Sequence, residues 1–330
     1  VQTCALPICQ YRVSVIIPVH NTAPYLKRCI ESVRSQLLKD IEIILVDNKS
    51  EDTSSDICDE YGRIDNRIKV IHLLEAGASI ARNAGLKIAS APYIGFVDSD
   101  DCINERMYMD LLCAIETYHA DIAYCNFCYE YEDGRIEHLY TNSGLVVERM
   151  SKEVVEDIIC EKVSSSPCTK LFKRDLFNII LFPEGVFFED HAVVYQWVAL
   201  SKKVVWIDRE YYNYLQREGS TCHSIDSTKQ YHFFLAEYPR IEFVKRNKLF
   251  SEHQRAEVIF QIVLTCFRRF DDFMKGAQLI RDRKQIKDMR HKMKKWLYLS
   301  PDEIDGWIYK RVRKITYRWL LCYWKYYRKH

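Results

Sequence analysis

The sequence predicts an α/β protein: a Rossmann-like, mostly parallel sheet flanked by helices, followed by a helical C-terminal extension. Three observations carry this reading. Short β-rich apolar runs alternate with stretches of helical periodicity from Val13 to Val97, which is the mark of βαβ units. Each of three such runs ends in a polar cluster, as strands that present a binding edge do. Beyond about residue 225 the β signal stops and helical spacing takes over.

The elements follow in order. Val13–Val19 is a buried-type strand. After the breaker Asn21-Thr22-Ala23-Pro24, the residues Leu26, Ile30, Val33 and Leu37 recur at helical spacing. Ile41–Val46 is the second strand, and Asp52 or Thr53 caps a helix carrying Ile57, Tyr61 and Ile64. Ile68–Leu73 is a strand, Ile80–Ile88 a helix and Tyr93–Val97 a fourth strand. The pattern then loosens. Met107–Tyr118 reads as a helix and Asp121–Tyr131 as a strand, with Asp133-Gly134 turning into Arg135–Tyr140. Helices are expected over Ser151–Cys160 and Asp190–Leu200, with a strand over Val204–Tyr214. Ala256–Phe270 and Ile304–Tyr327 close the chain as helices.

A length of 330 residues suits one large domain with an appendage. Residues 1–10, VQTCALPICQ, have neither the basic start nor the long apolar stretch of a signal peptide, and are read as a leader foreign to the fold. Residues 11–222 form the α/β domain and 223–330 a basic helical region. Only 10 Gly and 8 Pro exclude collagenous or linker-rich classes. No apolar run approaches the roughly 18–20 residues of a membrane span. The net charge of +2 hides an asymmetry: residues 251–330 carry +11 and residues 1–250 carry −9. A basic tail on an acidic body calls for an anionic partner. Thirteen cysteines, odd in number and irregular in spacing, are expected as buried reduced thiols. Cys125 and Cys128 have no second pair at zinc-site spacing, and sit in a strand.

Ligands bind open parallel sheets where loops leave the carboxyl ends of the strands. Pro18–Asn21, Asp47–Thr53 and Asp98–Asp101 stand there. Asp98-Ser99-Asp100-Asp101 sets three carboxylates in four residues, which repel unless a cation joins them. Their hard oxygens suit Mg²⁺ or Mn²⁺, ions that also take up phosphates. A DxD alone would read as a helix cap; the neighbouring clusters turn the balance toward a metal. Asp47 either accepts from a nucleobase or ribose or opens an Asx-turn. Small residues around Arg82, from Gly77 to Gly85, mark a phosphate clamp or a tightly packed helix with an exposed Arg. Glu189-Asp190 opens a helix, either as dipole complement or with a general base.

VSVIIPVHN, LVDNKSEDTS, ASIARNAGLKIASAPYIGFVDSDD and FFEDHAVVYQW occur in the order and spacing of family 2 glycosyltransferases with the GT-A fold. They resemble in particular the bacterial capsule, exopolysaccharide and lipopolysaccharide enzymes. The resemblance runs from residue 12 to about 222. It implies an inverting hexosyltransferase that moves a sugar from a nucleotide-diphosphate sugar, most often a UDP-sugar, to a hydroxyl of a glycan or lipid-linked acceptor. The implied cofactor is Mn²⁺ or Mg²⁺. By position, the backbone at Pro18 and Val19 would flank the nucleoside, Asp47 would contact the base, and Arg82 would belong to the donor pocket. Asp98 would contact the ribose or a water on the metal, and Asp100 would coordinate the metal. Asp190 would be the catalytic base, and Arg217, ahead of Gly219-Ser220, would close over the diphosphate.

Three departures from the family pattern touch the nucleobase end. His20 replaces the usual Tyr, Ala23 stands where an acid is common, and Asn48-Lys49 replaces Asp-Gly. Lys adopts left-handed backbone less readily than Gly. Two other classes share such a core. A sugar-nucleotide nucleotidyltransferase has a Gly-rich phosphate loop after its first strand, unlike His20-Asn21-Thr22. A non-catalytic nucleotide-sugar-binding scaffold would lack Asp100 or Asp190. Residues 307–330 hold eight Lys/Arg and no acid, interleaved with aromatics. They are expected to lie as an amphipathic helix on the anionic inner face of the bacterial membrane, placing the enzyme in the cytoplasm as a peripheral protein. The alternative is a docked terminal helix with solvated charges. No nucleic-acid motif accompanies the charge.

Overall fold

The computed structural model describes residues 11–217, 226–247, 249–278, 281–296, 310, 312–314, 316 and 317. The chain divides into two compact units, one made of residues 1–155 and 165–220, the other of 156–164 and 221–330.

The first unit holds a ten-stranded sheet. Its elements in chain order are β1 (Val13–Val19), α1 (Ala23–Arg34), β2 (Ile41–Asp47), α2 (Ser54–Ile64), β3 (Ile68–His72), α3 (Ala78–Ile88), β4 (Tyr93–Phe96) and β5 (Cys102–Ile103). Then come α4 (Met107–Tyr118), β6 (Ile122–Tyr131), β7 (Ile136–Glu137), β8 (Val146–Met150), α5 (Ser151–Ile159, whose residues from Glu156 on count with the second unit), β9 (Lys170–Lys173), α6 (Glu189–Leu200) and β10 (Lys203–Gln216). The strand order is β3-β2-β1-β4-β9-β6-β10-β5, with β7 on β6 and β8 on β10. Pairing is parallel from β3 through β4 and again between β6 and β10. It is antiparallel elsewhere, through the short strands β5, β7, β8 and β9, so the expected mostly parallel sheet carries short antiparallel additions. The change of direction comes from β9, a four-residue strand inserted between β4 and β6.

The apolar runs fill the core. Val13, Val15, Ile16, Ile17 and every residue from Ile43 to Val46 are fully buried, each contributing about 1.5–3 kcal/mol relative to exposure. The small residues of α3 serve close packing: a Cβ added at Gly85 would come within 2.5 Å of the Ile16 side chain. In β4, a Cβ at Gly95 would meet the Tyr108 ring at 2.5 Å. Both helices α3 and α4 are thereby drawn onto the strands that end at the polar clusters.

The second unit is helical: α7 (Ser227–Glu237), α8 (Pro239–Arg246), α9 (Glu252–Gly276) and α10 (Arg283–Lys295). The α9 start is a capping box between Ser251 and Gln254. Of the basic tail, Lys310, Val312–Lys314, Thr316 and Tyr317 are described; Val312 and Thr316 are buried, while Lys310, Lys314 and Tyr317 are exposed. The rest of residues 307–330 lies outside the described residues, as does the segment after Arg217. Among the described residues no helix is long and apolar enough to cross a membrane.

Candidate active site

The carboxyl ends of β1, β2, β3 and β4 come together at one edge of the sheet. Val19 at the end of β1 is the register partner of Asp47 at the end of β2, which in turn pairs with His72 on β3. Pro18 opposes Val46 one step earlier. Asp47 is buried, and its two oxygens accept from the Ser50 backbone N–H at 3.1 Å and the His72 ring at 3.0 Å. Burial opposes ionisation of Asp47, but the hydrogen bonds from His72 and Ser50 outweigh it and hold the carboxyl below its usual range. The other His72 nitrogen faces Asp59 at 3.1 Å. With a carboxylate at each nitrogen, Asp47 first and Asp59 second, the imidazolium is favoured and His72 titrates above its ordinary value.

The departures in this loop have structural answers. Lys49 does take the left-handed conformation, with φ of 57°, as does Asn21 with φ of 52°. Side chains hold the turn in place of glycine freedom. His20 Nδ1 donates to the Asn48 carbonyl at 2.8 Å, and the Asn48 side-chain oxygen accepts from Gly77 N–H at 2.8 Å. Where Ala23 lacks an acid, Asp52 reaches across to accept from the Ala23 N–H at 3.0 Å.

The acidic cluster follows β4. Asp98 is the most open of its carboxylates: one oxygen accepts from Arg82 at 2.8 Å, and its side chain is 38% exposed. Asp100 accepts from the Arg217 guanidinium at 2.8 and 2.9 Å, both donors converging on the same oxygen. Arg217 also lies over the Tyr25 ring at 5.3 Å. Burial and the neighbouring Asp98 push the Asp100 carboxyl up, against the pull of Arg217. Asp101 turns inward instead. It accepts from the Tyr212 hydroxyl at 2.5 Å and the Leu215 N–H at 2.8 Å, and burial with Asp100 and Asp98 raises it well above the usual range. Tyr212 also accepts from the Asp98 N–H at 3.2 Å. Asp101 and Tyr212 thus pin the cluster to β10.

Arg82, on α3, is buried rather than exposed. Its guanidinium bridges Asp98 and Glu189 and stands over the Phe182 ring at 5.4 Å. Burial alone would lower its affinity for the proton, but Asp98 and Glu189 outweigh that and raise it. Phe188, before α6, sits in the left-handed region at φ of 60°, an uncommon conformation for a bulky residue. That turn directs the two acids differently. Glu189 is buried and paired with Arg82, with burial raising its carboxyl above the usual range. Asp190 is half-buried, accepts from the His191 N–H at 2.8 Å and forms no salt bridge among the described residues.

Asp98, Asp100, Arg82 and Arg217 are therefore brought together by direct contacts, and Pro18, Val19 and Asp47 line the adjoining strand ends. Asp190 stands beside this group without bonding to it. Among the described residues no three His, Cys, Asp or Glu side chains converge as a ready metal cage. Asp98 and Asp100 nevertheless fit a hard cation. Each commits one oxygen to an arginine, and Mg²⁺-type ions need only one or two protein carboxylates plus substrate phosphates.

Sequence reasoning missed His72 and Tyr212 as parts of the site, and it grouped Glu189 with Asp190 without the tie of Glu189 to Arg82. Register with Asp47 was the available signal for His72. It also missed Lys170, which is fully buried on β9 and donates to the Ser166 carbonyl at 2.7 Å. Burial pushes its ammonium down to about 8, against the attraction of Cys125, Cys168 and Asp190. A separate cavity of about 670 Å³, lined by Arg106, Asp110, Arg209 and Tyr211 among others, contains none of the predicted site residues. All nine described cysteines are free, with Cys125 and Cys128 buried in β6.

Comparison with known proteins agrees with this arrangement. Residues 14–181 match the model of glycosyl transferase family 2. The glycosyltransferase GlyG of Streptococcus pneumoniae is 36% identical over 216 residues, covering 63% of this chain and 72% of that protein. EpsJ of Bacillus subtilis, an uncharacterized glycosyltransferase, is 33% identical over 219 residues, covering 63% of this chain and 62% of its own. The crystal structure of S. aureus TarS 1–349 in complex with UDP-GlcNAc superposes with a TM-score of 0.71 at 22% identity, covering 93% of this chain and 91% of that one. That last likeness is one of fold, the GT-A fold with a helical C-terminal region. A family match over half the chain, on the strands that carry the carboxylate cluster, makes this protein a member of glycosyl transferase family 2 and a glycosyltransferase.

Proposed function

We propose that this enzyme transfers a sugar, with inversion, from a UDP-sugar to a hydroxyl of a glycan or lipid-linked acceptor in bacterial surface polysaccharide synthesis. The observation that carries the reading is the pairing of two guanidiniums with two carboxylates at the end of β4: Arg82 on Asp98 and Arg217 on Asp100. Such a cluster has opposite charges ready for both a diphosphate and a cation. The UDP-GlcNAc held by TarS supports the donor class.

In this reading the strand ends at Pro18 and Val19 flank the nucleoside and Asp47, oriented by His72, accepts from the base. Asp98 and Asp100 would hold Mn²⁺ or Mg²⁺, which supplies charge stabilisation to the leaving diphosphate. Arg217 releases Asp100 and turns to the diphosphate as donor binds. Arg82 orients Asp98. Asp190 takes the proton from the attacking hydroxyl; it forms no salt bridge among the described residues, whereas Glu189 is tied to Arg82. An attack from the face opposite the diphosphate inverts the anomeric carbon.

The reading extends to location. Residues 307–330, with eight Lys/Arg and no acid, would hold the enzyme at the anionic cytoplasmic face of the membrane, beside a lipid-linked acceptor. Residues 11–222 would act as the catalytic domain and 223–330 as the basic helical region. A panel of nucleotide sugars, scored by thermal stabilisation and hydrolysis with Mn²⁺ present, tests the central claim. UDP-sugars should stabilise the protein and be turned over; a chain indifferent to every nucleotide sugar would refute it.

A further inference from the structure

Helix α10 carries a charge pattern that the transfer reaction does not use. Its 13 residues include seven Lys/Arg and a single acid, Asp288. That acid is already engaged, accepting from the Tyr231 hydroxyl at 2.8 Å and pairing with Lys292. The apolar stripe Ile286, Met289, Met293 and the following Trp296 is buried to 2% exposure or less. Trp296 stacks with Tyr238 at 6.0 Å between ring centroids and meets Phe267 edge-on at 5.6 Å. On the opposite side Lys284, Lys287, His291 and Lys294 repeat at intervals of three and four, flanked by Arg283 and Lys295. All six are exposed, and none of these Lys and Arg side chains has an ion pair among the described residues.

The kind of partner follows from what is missing beside the charge. A helix that binds at a membrane interface embeds its apolar face in lipid, and that face of α10 is spent inside its own unit. What remains is a row of lysines, with His291 among them, about 17 Å long, from the helical rise of about 1.5 Å per residue. A row of this kind suits a flexible chain with an anion at each repeat, which lies along it and releases counterions pair by pair. Such a chain would be repelled by residues 1–250, whose net charge is −9, so a separate basic surface is where it is held. We infer that the exposed row Lys284, Lys287, His291, Lys294 and Lys295 of α10 is a docking surface for a polyanionic glycan, a polymer with phosphate or carboxylate in its repeating unit. That this polymer is also the acceptor rests on the function proposed above; the binding itself does not.

The test uses the full chain and long-chain inorganic polyphosphate as the probe, followed by calorimetry. Neutral dextran and phosphatidylglycerol vesicles serve as comparisons. Affinity for polyphosphate should fall about a hundredfold between about 50 and about 200 mM salt, as expected for roughly four ion pairs. The triple variant Lys284→Glu, Lys287→Glu, Lys294→Glu should weaken binding by roughly tenfold or more, and its Arg counterpart should retain binding. A control triple with the same charge change, Lys87→Glu, Lys152→Glu and Lys202→Glu, should stay near the parent. Equal losses in both triples, no polyphosphate binding, or vesicle binding that depends on the α10 lysines while polyphosphate binding does not would each overturn the inference. Stabilisation by UDP-sugars is read on the same samples. A chain that responds to UDP-sugar but ignores polyphosphate sinks only the docking surface; the reverse sinks only the proposed function.

Discussion

Arg82→Met is the most informative single change. It removes the guanidinium that Asp98 and Glu189 share, and leaves Glu189, 9% exposed, as a buried carboxylate with Asp190 beside it. Breaking a buried pair from one side costs about 3–5 kcal/mol, because the remaining charge loses its partner without regaining water. For a unit of this size about 1 kcal/mol moves the melting temperature by about 2–4 °C, so the variant should melt roughly 6–20 °C lower. The deficit should depend on pH. Burial already holds the Glu189 carboxyl above its usual range, and losing Arg82 raises it further. The folded variant therefore holds a proton that the unfolded chain releases above about pH 4.3. Its stability falls as pH rises from there through the folded value, and the gap to the parent should be smaller at pH 5 than at pH 7.5. The double variant Arg82→Met, Glu189→Met removes both charges and should recover most of the loss, giving a coupling energy of about 2 kcal/mol or more. Thermal unfolding of parent, singles and double at both pH values provides the measurement. Single-variant losses that simply add, or an Arg82→Met loss below about 2 °C, would refute the idea that this bridge holds the site together.

Four further outcomes are expected. UDP should bind with Mn²⁺ and lose most of its affinity in EDTA, and Asp100→Ala should abolish the difference in calorimetry. Asp190→Asn should leave donor affinity nearly intact while cutting turnover by about 10²-fold or more, whereas Glu189→Gln should show its main effect in the melting temperature. His72 titrates above its ordinary value of about 6.5, so its contribution is complete below that pH and is lost as pH rises through the folded value. His72→Gln should accordingly flatten the alkaline decline in UDP affinity and melting temperature. Truncation after Asp305 should abolish sedimentation with anionic vesicles at low salt, and neutral vesicles should leave the full chain in the supernatant.

The βαβ half was legible because its strands are fully buried and its helices strongly periodic: β1, β2 and α1–α3 stand within a few residues of their expected places. The strands β5, β8 and β9 were not, although β7 falls within the expected return Arg135–Tyr140. They are two to five residues long, and their pairing is set by distant partners rather than by local pattern. The same division holds in the site. Carboxylates stand out in sequence at a strand end, so Asp47, Asp98 and Asp100 could be picked out. Which oxygen meets which arginine is tertiary information, and so is the burial that separates Glu189 from its neighbour Asp190. The Lys49 turn looked unfavourable by propensity, yet His20 and Asn48 stabilise it with bonds no local window contains.

The arginine bridges also set a schedule for synthesis. Arg82 meets Glu189 across 107 positions, Asn83 meets Phe182 across 99, and Arg217 meets Asp100 across 117. Contacts this distant in sequence form late and slow the final folding steps. The ribosome adds about 5–20 residues each second, so the carboxylates after β4 wait roughly 5–20 s before their last partners are made. During that interval the nascent protein already has Arg82, the partner of Asp98, but not Arg217, the cation that pairs with Asp100. The completed cluster is thus a product of the last part of the first unit to leave the ribosome.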